Sequence, residues 1–174
     1  MINLIHKLSK NKVSKVEFIQ EFINHPNHQW IKADKRIEKA ILILLNEFKQ
    51  NHIDVLNKNK TYLIPCEAHL SCAIGKTKED HLILVFPELI TLLKSASFHH
   101  GIAILAHEFG HIFYQHTENK VETLTAQIEA DDFAFELGYG EELQEILLDH
   151  EFNIDCKVRI AKLTAKLIER RNFN

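Results

Sequence analysis

Two histidines four residues apart, His107 and His111, bracket a glutamate in the segment Ala106-His-Glu-Phe-Gly-His111. On a helix, residues i and i+4 leave one face a single turn apart, so both imidazoles can reach one tetrahedral metal ion. Glu108 is offset from that point and reaches a water on the ion rather than the ion itself. The chemistry this set suits is metal-assisted hydrolysis. Zinc makes a water acidic, Glu108 takes its proton, and the water attacks a carbonyl carbon. Ile102, Leu105, Ala106, Phe109, Ile112 and Phe113 make the carrying helix apolar almost all round. Two imidazoles and a carboxyl on an internal helix need partners there, and a metal ion supplies one. The bland alternative is a surface helix that happens to carry two histidines.

The elements that must position this helix follow from hydrophobic period. Val16, Phe18, Ile19, Phe22 and Ile23 predict a helix over 14–24 with Ser14 as its cap. Ile37, Ala40, Ile41, Leu44, Leu45 and Phe48 predict a longer amphipathic helix over 34–50. The period then shortens: 61–65, 68–75 and 81–86 read as short strands, joined as a small antiparallel meander. Pro87 opens a short helix through Leu93, and from Phe98 the chain reads as helix to its end, with breaks near 117–120, 138–140 and 150–154. His25, His28 and His52 stand in polar stretches or near Pro26, where a solvated place is expected.

At 174 residues, 45% of them hydrophobic and 26% charged, the chain suits one domain, a helical segment at 1–60 leading into a catalytic core at 61–174. A net charge of −3 with interleaved lysines and acids gives no footprint for nucleic acid. The longest apolar stretch, Ala40 to Leu45, falls far short of the ~20 residues that span a bilayer, and the N-terminus lacks a signal-peptide pattern. Cys66, Cys72 and Cys156 form no close pair, which favours a reducing, cytoplasmic setting.

Residues 68–116 resemble the catalytic core of the gluzincin metallopeptidases, in particular the heat-shock and CAAX-processing membrane proteases and their soluble minimal relatives. The segments that carry the likeness are Ser71–Ile74, Leu82–Leu93, and Ala106–His111 with His116 five residues on. Downstream, Glu129–Tyr139 is similar to the "EADxxAxxLGY" stretch of the same group, and Arg159–Leu163 after His150 resembles its C-terminal segment. The resemblance implies an α+β, zincin-like fold: a small antiparallel or mixed sheet packed on the HExxH helix, with further helices at both ends. It implies a zinc-dependent endopeptidase whose extended polypeptide substrate pairs along edge strand 68–75. It also implies that Asp131 orients His107, that His116 shapes the site or caps the helix end rather than binding metal, and that Arg159 stabilises an oxyanion or pairs with Asp131. Without the membrane helices of those relatives, no substrate within a bilayer is expected.

In gluzincins the third metal ligand is a glutamate four residues before the aspartate; here that position holds Gln127. Helical phase puts Leu124, Gln127, Ile128, Asp131, Ala134 and Phe135 on one face, and Glu129 on the other with Glu122, Asp132 and Glu136. Three readings stand side by side. Gln127 offers its amide oxygen as a neutral ligand; or the helix is distorted and Glu129 or another acid binds; or the site is degenerate, and the chain is a weakened or inactive zincin-fold binding or regulatory protein.

Overall fold

The computed structural model describes residues 13–67, 80–116 and 121–173. Ser14 caps helix α1 (Lys15–Asn24), accepting from the Glu17 amide while the Glu17 carboxylate accepts from the Ser14 amide. A 3-10 turn at Pro26–His28 leads into the short α2 (Gln29–Ala33). Asp34 caps α3 (Lys35–Glu47). The expected long helix stops there, because Phe48 turns extended and buries its ring, and a separate α4 (Gln50–Leu56) follows.

Strands β1 (Lys60–Pro65) and β2 (Asp80–Val85) pair in parallel, Lys60 opposite Asp80 and Pro65 opposite Val85. The antiparallel meander is therefore corrected for these two strands. A parallel pair needs a connection of a dozen or more residues, and 66–79 supplies that length. The strand expected at 68–75 lies outside the described residues. On the outer edge of β1, His28 Nε2 accepts the Leu63 amide at 3.0 Å, and Trp30 Nε1 donates to the Leu63 carbonyl at 3.1 Å. Pro65 offers that edge no donor.

The C-terminal half holds α5 (Pro87–Lys94), α6 (Phe98–Phe113), α7 (Thr123–Glu136), α8 (Gly140–Leu148) and α9 (Ile154–Asn172). One hydrophobic core runs from Phe18 in α1 to Leu163 in α9. Phe109 of α6 sits in its middle, 5.2 Å from the Phe48 ring and 6.3 Å from Phe22. Position 109 is ~200° around the helix from 107, so the N-terminal helices pack behind α6 and leave the histidine face to α7. Among the described residues no helix is long and apolar enough to cross a membrane, and Cys66 and Cys156 are free.

Two histidines depart from the solvated expectation. His28 and His52 are each 1% exposed. His28 Nδ1–H donates to the Phe22 carbonyl at 2.6 Å, while His52 Nδ1 accepts the Lys49 amide at 3.2 Å and its ring lies 4.9 Å from Phe133. Backbone groups satisfy them, so burial is tolerable.

Candidate metal centre

The centre is built where α6 and α7 cross at Gly110. A Cβ there would stand 2.9 Å from the Ala130 Cα and the Phe133 Cβ, and 3.0 Å from the Ala130 carbonyl oxygen. Only a glycine lets the two backbones approach so closely. The buried stripe of α7 is accordingly Ala126, Ala130, Phe133 and Ala134, with Asp131 beside it. That stripe is rotated from the expected one: Leu124, Ile128 and Phe135 are only partly buried. Gln127 and Asp131 fall at its border, over the two histidines.

His107 and His111 are 7% and 9% exposed, and their Nε2 atoms lie 3.1 Å apart. His107 Nδ1 is 2.8 Å from Asp131 Oδ1. Arg159, from α9, grips the same carboxylate with two parallel bonds, Nε to Oδ2 and Nη2 to Oδ1, each 2.7 Å. Burial pushes the Asp131 carboxyl up, but the hydrogen bonds from Arg159 and His107 outweigh it and hold the group below the usual carboxylate range. An ionised Asp131 only accepts, so His107 carries its proton on Nδ1, and in the neutral ring Nε2 keeps a lone pair.

On the other ring, His111 Nδ1 lies 2.9 Å from His116 Nδ1, and His116 Nε2 lies 2.7 Å from Glu129 Oε2. Gln127 Nε2 is 3.3 Å from His111 Nε2. Burial first, then repulsion from His107, His116 and Arg159, pulls the His111 pKa down to about 3. Glu108 moves the other way: burial pushes its carboxyl up, against the pull of His107 and Arg159. It has no described hydrogen-bond or ion-pair partner.

The two imidazole nitrogens match zinc in kind and spacing, while an amide at Gln127 is a weaker donor than the carboxylate zinc usually takes. Two nitrogens ~2.05 Å from a tetrahedral ion are separated by ~3.3 Å, close to the observed Nε2 pair. Turning the Gln127 amide over about its terminal bond presents oxygen in place of nitrogen to the same point. Among the described residues, no group of three or more His, Cys, Asp or Glu side chains is placed to hold a metal, and the polar side chain beside the His111 Nε2 is Gln127. Glu129 faces His116 rather than the Nε2 pair, and Arg159 is engaged with Asp131. Sequence reasoning named each of these residues but not the contact that joins His116 to Glu129. Compared with known protein families, curated proteins and solved structures, the chain gives no match.

Proposed function

We propose that the chain is a zinc-dependent, zincin-type peptidase, with His107, His111 and the Gln127 amide as metal donors and Glu108 as general base. The observation that carries this reading is the pair of Nε2 atoms 3.1 Å apart. With all three rings neutral, Asp131 fixes the proton of His107 on Nδ1, and Glu129, through His116, fixes that of His111 likewise. Two lone pairs then converge on one point beside the Gln127 amide, an arrangement that a shared cation would satisfy.

Zinc held there would supply Lewis-acid polarisation of a water and of a substrate carbonyl. Glu108 receives and returns a proton. Its upward-shifted pKa brings it nearer working pH, where a base both is ionised and holds a proton long enough to hand it on. Asp131 keeps the His107 ring in register, and Arg159 keeps Asp131 charged. Peptide as the substrate class rests on the gluzincin likeness of the sequence. An extended substrate would have to pair elsewhere than the outer edge of β1, since His28 and Trp30 occupy it at Leu63. The free Cys66 and Cys156 support a reducing, cytoplasmic setting.

A second reading, a non-catalytic zincin-fold binding protein, is favoured by one feature: Gln127 stands where a carboxylate is expected. Casein cleavage by zinc-loaded wild type and Glu108→Gln separates the two. Loss of cleavage in Glu108→Gln with zinc retained supports the peptidase; no cleavage by zinc-loaded wild type supports the binding protein.

A further inference from the structure

The end of α6 is unusual. Gln115 has a φ of +58°, the left-handed conformation that usually falls to glycine at a helix C-terminus. The Gln115 amide bonds the Ile112 carbonyl and the His116 amide bonds the His111 carbonyl, each at 3.0 Å. These two bonds complete a Schellman turn. Such a turn normally brings an apolar residue just past the helix back onto the last turn. Here the residue brought back is His116, and it lands on His111, ring centroids 5.1 Å apart, with Nδ1 facing Nδ1. Tyr114 stacks on the outer face of His116 at 5.7 Å and 17°. The His116 side chain is 6% exposed, so its far nitrogen needs a partner, and Glu129 reaches in from α7 to provide one.

We infer that His116 and Glu129 are a positioning dyad for His111, matching Asp131 and Arg159 on His107 and bringing to the site the negative charge that Gln127 lacks. The inference rests on the metal reading above. The proton order is Glu129 carboxylate accepting from His116 Nε2–H, and His116 Nδ1 accepting from His111 Nδ1–H. His111 Nε2 is left as a lone pair aimed at the shared position. A carboxylate two imidazoles away raises the donor strength of His111 without occupying a coordination position. The spacing His111-x4-His116 is thereby explained by turn geometry rather than by direct ligation.

The test is zinc affinity of full-length wild type, Glu129→Gln, His116→Phe and Glu136→Gln, measured by competition with a chromophoric chelator. Thermal melts of the metal-free proteins serve as a folding check. Removing such outer partners costs about 10–100-fold in metal affinity, so that loss is expected for Glu129→Gln and His116→Phe. Glu136→Gln, an exposed acid on the same helix, should match wild type. Unchanged affinity in both dyad variants, with wild type binding zinc, overturns the dyad. Absence of zinc binding in wild type overturns the metal reading instead. In that case imidazole nitrogen shifts of the metal-free protein decide the dyad. His111 protonated on Nδ1 in wild type, and losing that preference in His116→Phe, supports it; the same tautomer in both overturns it.

Discussion

Replacing Gly110 with alanine should loosen the α6–α7 crossing and, with it, the metal site. The new Cβ would meet the Ala130 Cα and the Phe133 Cβ at 2.9 Å and the Ala130 carbonyl oxygen at 3.0 Å. Ordinary carbon contacts lie at about 3.5–4.0 Å, so the helices must part by roughly half an ångström or more. Two of the three obstructing atoms are backbone, which cannot swing aside as a long side chain could. Overpacking of this kind costs about 1–3 kcal/mol, and alanine recovers about 0.5–1 kcal/mol through its better helix propensity. A net loss of roughly 1–2 kcal/mol remains, which for a chain of this size lowers Tm by about 2–8 °C. Asp131 directly follows Ala130, so parting the helices also lengthens its 2.8 Å bond to His107. Calorimetry and zinc titration of Gly110→Ala measure both effects. An alanine variant as stable as wild type, with undiminished zinc affinity, would refute the reasoning that this glycine sets the site.

Metal-free protein should lose stability as pH falls below about 6.5. Burial lowers the pKa of His28 and His52, so the unfolded chain binds protons more readily; their contribution is whole above 6.5 and drains away through their lower folded values. Urea titrations from pH 8 to 5 check this, and a flat profile contradicts it. The His28→Phe variant should show a shallower slope, and should cost about 1–3 kcal/mol at pH 8 because the buried Leu63 amide loses its acceptor. Gln115→Gly should raise stability by about 1 kcal/mol by relieving the left-handed conformation, with zinc affinity kept, whereas Gln115→Val should lower both. A glycine variant no more stable than the parent argues against strain at that residue.

The parts of the site legible in the sequence are those that depend on one helix at a time. His107 and His111 share a face by spacing alone, and the phase of α7 put Gln127 and Asp131 toward them and Glu129 away. Phase could not show that Glu129, 43% exposed at its side chain, still bends back to His116. That contact depends on a Schellman turn with glutamine in the glycine position, which carries no sequence signal. The buried stripe of α7 was misjudged for a related reason. Ala126 and Ala130 look indifferent until Gly110 of the neighbouring helix demands small residues there. His28 and His52 look solvent-exposed among polar neighbours, but His28 is held by the Leu63 amide 35 residues away and the His52 ring packs on Phe133, contacts that local pattern does not reveal. Strand positions at 61–65 and 81–86 came close to the observed spans, but alternation of side chains carries no information on strand direction, and the pair is parallel.

The central claim is that His107 and His111 share one metal ion whose third protein donor is the Gln127 amide. Zinc affinity and stoichiometry of wild type, His111→Ala and Gln127→Glu, by chelator competition, test it most directly. The account predicts a single zinc ion per wild-type chain, none in His111→Ala, and binding tightened about tenfold or more in Gln127→Glu, since carboxylate is the stronger zinc donor. Wild type that binds no zinc, or a Gln127→Glu variant that binds it no more tightly, contradicts it.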